Sequence, residues 1–581
     1  MSLKDKTNRI FGKYDIVFPV IIFLFCFINV NKGLDITDAG YNLGNFTYLK
    51  GLDGMWYYST LLANFAGWLI VRLPFGRYML AVSIYLRIIR GIFAVCLYRF
   101  FTKRVKMGKM VSFVGIILSL ALCWAPAYGV YHYMTYFLFA IAAMLLYMGL
   151  SAESESGKRK YLILAGVVLA LNVFVRFPNV CEMALIIAVW WYCIISKEKF
   201  GEIINKTLLC AFGYVGTLAA VFTVIAVTGH MGDYIQAIKD LFSMTDESER
   251  YGIRFTIRNL IDSYTCVWYW LIPIAIGFAG LIVMGVLFCK LKNKSVKHNW
   301  MLAAGNAVAV AGISVIYCWF YKTELFDYNF RSYSSMYLFS VVILIVCLAL
   351  MVYGLFSKTF DDLEKMLFAA AVVITMITPL GSNNSIYAVI NSLFLLFPLA
   401  LHVSVKFWKK EKTLYLGTGI VALMGFYIVQ MILFGCFFTF REKQPAQDTK
   451  VLGNKTITGM ETTEDNARLL FDVKDILDKN GLNEAKILTF GDVPGFAYYM
   501  GLKPALSSTW SSLPSYSAEK FAGQLKGLEG MIAEKGEKVV VITDSYLDEA
   551  GKKQDILKEF LKKYNYKEVY SEQGYIVWLT E

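Results

Sequence analysis

The sequence predicts a polytopic α-helical membrane protein of about 13 transmembrane helices, followed by a C-terminal soluble α/β domain. Three observations carry this. Of the 581 residues, 57% are hydrophobic and only 17% charged, whereas a soluble chain carries about 45–50% apolar and roughly 25% charged residues. Apolar runs of about 20 residues, long enough to cross a bilayer core, recur down to residue 440. From 441 onward the composition becomes that of a water-soluble domain, with 19 Lys+Arg against 22 Asp+Glu and no cysteine. Collagen, coiled coil, disorder and a disulfide-rich scaffold are excluded.

In chain order, Lys4, Lys6, Arg9 and Lys13 precede a first apolar run at about 15–31, read as an uncleaved signal anchor with a cytoplasmic N-terminus. Further spans fit at 78–98, 110–127, 133–150, 161–175, 180–195, 207–228, 264–288, 300–320, 334–356, 366–380, 385–403 and 414–438. The odd number puts the C-terminal domain outside the cytoplasm, in a multi-pass protein of the cell membrane. Basic residues agree, 25 falling on segments assigned inside and 11 on those assigned outside. The net charge of +13 is thus mostly a topology signal, and nucleic acid is not an expected partner. The membrane domain, 1–440, has two long outer loops, 32–77 and 229–262, and chemistry is expected on that face. In the first, Met55 to Arg72 reads as a helix in the membrane interface. In 441–581, helices at 466–479, 517–532 and 551–563 alternate with strands at 486–490 and 538–543, before a hairpin at Glu572-Gln573-Gly574. Asp492 and Asp544 fall at strand ends, where caps are commoner than ligand contacts.

Eleven cysteines lie in or beside apolar runs without metal-ligand spacing, and the four histidines are scattered, His132 and His230 on the outer side. The first outer loop holds Asp35 and Asp38 with Tyr41 close by. Such residues can simply open a hydrated loop, but an acid held at the membrane surface beside an aromatic is suited to deprotonate a sugar hydroxyl. Arg87 and Arg90, three apart inside the second span, must face the bundle or a wet cavity, because a cation in the bilayer centre costs about 2.5–3.5 kcal/mol or more. No acid inside a span is an evident partner, and Glu182 is the nearest candidate. Arg176-Phe177-Pro178-Asn179 joins two short apolar halves, either as a turn or as polar backbone at a cavity. Ser382, Asn383 and Asn384 offer amide and hydroxyl groups suited to sugar hydroxyls, or to a turn.

The layout, an early acidic loop followed by Tyr and an outside C-terminal domain, resembles the GT-C membrane glycosyltransferases, nearest the protein O-mannosyltransferase and aminoarabinose-transferase type. Asp38 and Tyr41 match the Asp-Glu…Tyr pattern of that first loop, while Ala39 stands where the family has Glu. The match is a few residues within an architecture that covers nearly the whole chain. The resemblance implies inverting transfer of a sugar from a polyprenyl-phosphate donor to a cell-envelope glycan, lipid or protein. Asp38 would be the base, with Asp35 and Tyr41 near it. Lys50, Arg72, Arg77, Arg250, Arg254, Arg258 and Arg331 are then outside candidates for the lipid phosphate. No cofactor is fixed by the sequence, and a divalent cation stays open. Other readings are a transporter or flippase, a polymerase of lipid-linked glycans, and a non-catalytic relative that binds glycan lipid. The first would show repeats or broken helices, and the last is kept in view by Ala39.

Overall fold

The computed structural model describes residues 3–243, 253–292, 298–380, 384–442, 449–513 and 516–580. It is mainly helical. The chain begins with α1 (Leu3–Phe25), α2 (Asp38–Thr47), α3 (Gly54–Tyr58), α4 (Leu61–Ile70), α5 (Met79–Arg99), α6 (Lys109–Leu122), α7 (Val130–Leu150) and α8 (Glu155–Val175). Among the described residues, eight helices are long and apolar enough to cross a membrane, which makes this a multi-pass membrane protein. They match the expected spans at 78–98, 133–150, 180–195, 207–228, 264–288, 300–320, 334–356 and 414–438.

The five other expected spans are shorter, split or more polar. The apolar part of α1 is Tyr14–Phe25, and α6 stops at Leu122, ahead of Pro126. The expected 366–380 span is the 16-residue helix Asp362–Ile377, and 385–403 is split into Ser385–Ile390 and Leu396–Trp408. The fifth, 161–175, belongs to α8, whose first turns are charged. After α8 the chain runs as a 3₁₀ helix, Phe177–Leu185, before Ile186–Ile195, so the Arg176-Pro178 break is a change of helix type.

Short helices expose their last carbonyls to an apolar environment, and this explains Arg87 and Arg90. Arg87 Nη1 donates to Cys26 O at 2.7 Å and Ile28 O at 2.8 Å, and Nη2 to Asn29 O at 2.9 Å, closing the chain end beyond α1. Arg90 Nη2 donates to Leu120 O at 2.5 Å in the last turn of α6. Neither takes a carboxylate among the described residues. Glu182 accepts instead from Asn172 Nδ2 at 2.5 Å, within a buried set that includes Thr135 and Asn179.

The tail opens with an antiparallel pair, β1 (Thr449–Lys450) and β2 (Glu461–Thr462), and continues into a five-stranded sheet ordered β4-β3-β5-β7-β6, with β3 (Lys486–Phe490), β4 (Lys503–Pro504), β5 (Val539–Asp544), β6 (Tyr566–Glu572) and β7 (Tyr575–Thr580). β3 runs parallel to β4 and β5, and β7 runs antiparallel to β5 and β6. The apolar run VVVIT of β5 is buried, as a central strand covered on both faces requires. The hairpin turns at Gln573 and Gly574, both at positive φ (56° and 80°), the geometry of a two-residue primed turn.

The first loop shares a core with this domain. Alternate strand residues face opposite ways. On one face Ile487, Val540 and Ile542 pack in a cluster with Leu34, Ile36, Ala39 and Leu43; on the other, Leu488, Phe490 and Val541 pack with Met55 and Trp56. Gly495 N donates to Ile36 O at 2.7 Å, Tyr499 OH to Asp35 O at 2.5 Å and Thr509 Oγ1 to Asn45 Oδ1 at 2.6 Å. The second long loop also reaches the tail, through Lys520 and Asp240. Residues 244–252 of that loop, Arg250 among them, lie outside the described residues.

α2 and the tail helix Gly495–Met500 approach so closely that a Cβ on Gly40 would sit 2.1 Å from Gly495 Cα. Backbone cannot yield as a side chain does, so Gly40→Ala is expected to destabilise by about 1–3 kcal/mol. Gly425 has nothing within 4 Å of a built Cβ, so Gly425→Ala is the control. Thermal unfolding of the two purified variants checks this, with only Gly40→Ala lowering the Tm.

Candidate active site

The two acids of the first loop have different surroundings. Asp35 is buried, and its carboxylate accepts from Thr37 N at 3.0 Å, Thr37 Oγ1 at 2.5 Å and Ala39 N at 2.8 Å. These bonds satisfy donors at the start of α2, so the carboxylate fixes the helix entry. Burial outweighs them and pushes this acid above the usual carboxylate range.

Asp38 opens α2 with its side chain 28% exposed, and Oδ2 lies 3.1 Å from Nη2 of Arg441. Burial first, then the negative charges of Asp35 and Asp492, push its pKa up to about 6 against the opposing pull of Arg441. Arg441 follows the helix Leu414–Phe437, and its backbone is left-handed at φ 59°, a region that disfavours a non-glycine residue. The return of the chain towards the first loop thus carries backbone strain at the residue that meets Asp38.

Beside this pair lies a cavity of about 820 Å³ whose walls include Lys32, Asp35, Ala39, Arg87, Arg90 and Trp124. Arg90 Nε and Trp124 Nε1 are buried there without a hydrogen-bond partner among the described residues. A second cavity of about 740 Å³ shares Arg87, Arg90, Ala127 and Tyr133 with the first, and is otherwise lined by apolar residues such as Ile70, Ile89 and Phe137. One chamber therefore offers cations and N–H donors, and its neighbour offers an apolar sleeve. The two arginines that close the helix ends also form the shared wall.

Tyr41 packs against Trp56 and Trp510, at ring centroid distances of 5.6 and 5.7 Å. Burial raises its hydroxyl far above the ordinary tyrosine value, so it stays protonated. Arg176 Nε is buried and has no hydrogen-bond partner among the described residues. Ala39 is 3% exposed and packs with Leu34, Ile36 and Leu43, so the position where the resembled family has Glu is filled by a methyl group.

Other expected site residues lie elsewhere. Lys50 follows the far end of α2 and lines a different cleft with Arg72. Arg77 donates to Tyr78 OH at 2.7 Å on the surface. Arg254 is exposed, and Arg258, 84% exposed, pairs with Asp262 across one helical turn. They share the helix Ile253–Thr265 but do not line the cavity. Arg331 sits in a turn where its N donates to Asn329 Oδ1 at 3.2 Å, away from the cavity wall. Ser382 and Asn383 lie outside the described residues. Asn384 is exposed and absent from the wall; its helix approaches through the aromatic sequence Tyr387, Tyr333, Trp124 and through its C-cap Asn391, whose Oδ1 accepts from Ala125 N at 2.7 Å. His230 pairs with Asp233 at 3.0 Å. Asp544 is a cap: its carboxylate accepts from Asp492 N at 2.7 Å and Tyr546 N at 3.0 Å. Among the described residues no three His, Cys, Asp or Glu side chains are grouped to hold a metal ion, so no step is assigned to a cation. Arg441, Lys32 and Trp124 were missed from the sequence; a cation directly after the last apolar run was the available signal for Arg441.

Fold and site together define a multi-pass membrane protein with a soluble domain docked beside a cationic cavity. No protein-family model and no curated protein sequence matches the chain. Among solved structures it is similar to ArnT from Cupriavidus metallidurans bound to undecaprenyl phosphate, at 10% identity over 97% of each chain with a TM-score of 0.42. It is also similar to the oligosaccharyltransferase AglB of Archaeoglobus fulgidus in complex with an inhibitory peptide and a dolichol-phosphate, at 13% identity over 98% of this chain and 75% of that one with a TM-score of 0.44.

Proposed function

We propose that this protein is an integral membrane glycosyltransferase that moves a sugar from a polyprenyl-phosphate donor to a cell-envelope acceptor on the outer face. The observation that carries the reading is the pair of adjacent cavities, cationic and apolar, with Arg87 and Arg90 in their common wall. A phosphate attached to a long isoprenoid needs that division, with the head among Lys32, Arg87, Arg90 and the Trp124 indole N–H and the chain in the sleeve.

In the reaction the acceptor hydroxyl oxygen attacks the anomeric carbon, and the bond from that carbon to the phosphate oxygen breaks with its electron pair. Asp38 takes the hydroxyl proton. Negative charge grows on the departing phosphate, where the arginines and the unpartnered N–H groups stabilise it. Attack from the side opposite the phosphate inverts the anomeric centre. Arg441 holds the Asp38 carboxylate in place and keeps it ionised near neutral pH.

Photo-crosslinking tests the donor site. With p-benzoylphenylalanine at Ile89, added polyprenyl phosphate should be captured, and excess unlabelled lipid should compete. The same group at Val224, an exposed position on the helix Phe200–Val227, should capture little. Equal capture at both positions would contradict the assignment.

A further inference from the structure

A second cationic cleft lies at the opposite end of α2 from Asp38, about 15 Å away for a ten-residue helix. It encloses about 870 Å³ between the first loop and the edge of the tail sheet, and Lys50, Arg72, Lys486 and Lys503 line it without a carboxylate in the wall. Lys50 and Arg72 come from the first loop, whereas Lys486 and Lys503 are paired residues on neighbouring strands β3 and β4. Among the described residues Lys50, Arg72 and Lys503 have no carboxylate within salt-bridge distance, and only Lys486 is relieved, by Glu537 at 3.2 Å. Three uncompensated cations beside the paired Lys486 repel each other around one recess, and an anion between them removes that cost.

The surroundings indicate how such an anion is presented. Arg72 Cζ stands 3.9 Å over the Trp68 ring, at the end of α4. Phe65, Leu69, Leu73 and Phe75 are exposed nearby, Phe75 at 72%. A cation cluster beside an exposed apolar and aromatic ledge is the arrangement of a surface that meets phosphate headgroups while its apolar side enters the acyl boundary.

We propose that this cleft binds a phosphate group that bridges the first loop and the tail domain, and that an anionic phospholipid headgroup is its source. The phosphate oxygens accept from Lys50 and Arg72 on one side and from Lys486 and Lys503 on the other. The bound group ties the sheet edge to the membrane-facing loop, separately from the reaction cavity. The inference does not depend on the transferase reading, since it involves none of the groups around Asp38.

The test uses the full-length protein in nanodiscs of phosphatidylcholine, with or without phosphatidylglycerol, and in detergent with inorganic phosphate. Thermal unfolding should give a higher Tm in the phosphatidylglycerol discs, with an increment that shrinks as salt is added. The double variant Lys50→Gln with Lys503→Gln should lose most of the increment. Lys526→Gln with Lys558→Gln, removing two exposed charges elsewhere, should keep it. Because the cleft variant also relieves repulsion, its Tm in plain phosphatidylcholine discs should not fall, which separates lost binding from lost folding. An increment with inorganic phosphate but none with phosphatidylglycerol would overturn the lipid source and leave a soluble phosphate-bearing ligand. An increment retained in full by the cleft variant would overturn the site.

Discussion

Asp38→Asn is expected to lower sugar transfer by about 10²- to 10⁴-fold, the usual worth of a positioned general base. The amide keeps the shape of the carboxylate and can still accept from Arg441, but it cannot take the hydroxyl proton. Stability should hardly change. The Asp38–Arg441 pair is partly exposed at both ends, 28% and 43%, and pairs of this kind contribute about 0–1 kcal/mol. Donor binding should also persist, because Asp38 does not line either cavity. Asp35→Asn is the informative contrast. The amide keeps one oxygen for Thr37 N and Oγ1 but turns an NH2 donor towards Ala39 N, which loses its acceptor at the start of a buried helix, so it should cost stability, by about 0.5–2 kcal/mol for the lost cap. The two acids, three residues apart, are thus distinguished by a rate in one case and a melting temperature in the other.

The second large effect is on pH dependence. Asp38 must be ionised to act as a base, so kcat/KM for the wild-type protein should fall as pH drops through about 6. The groups that set this value are the burial of the carboxyl, the charges of Asp35 and Asp492, which raise it, and Arg441, which lowers it. Arg441→Gln removes the lowering contribution alone. The acid limb should therefore move upward from about 6, and the loss of rate should be greatest at acid and neutral pH and shrink as pH rises. A pH–rate profile of the variant measures it. An unchanged limb with a uniformly lower rate would mean that Arg441 only positions the loop.

The sequence conveyed what is local. The apolar runs located the long spans, and short apolar runs between turn residues found β3, β5 and the terminal hairpin within a residue or two. Asp38 stood out as a candidate because an acid close to Tyr41 follows the first apolar run, as in the resembled first loop. The partner of Asp38 was not legible, since Arg441 comes from the opposite end of the membrane part and meets it only through the path of the chain. The same holds for the shared core of loop and tail, which places Leu34 and Met55 on opposite faces of a sheet formed from residues beyond 480. Arg87 and Arg90 were recognised as anomalies, but their backbone partners follow from helices that end early, and a run of apolar residues does not reveal where its hydrogen bonding stops. The cations at 254, 258 and 331 share a predicted side with Asp38 and nothing closer, because sidedness does not fix distance.

The account depends most on Asp38 as the base. Its most direct measurement is the surface-glycan profile of a null strain complemented with the wild-type gene or with Asp38→Asn, at matched membrane levels of protein. The account predicts that a glycan missing from the null strain returns with the wild type and stays missing, or nearly so, with Asp38→Asn. Full restoration by Asp38→Asn would contradict it.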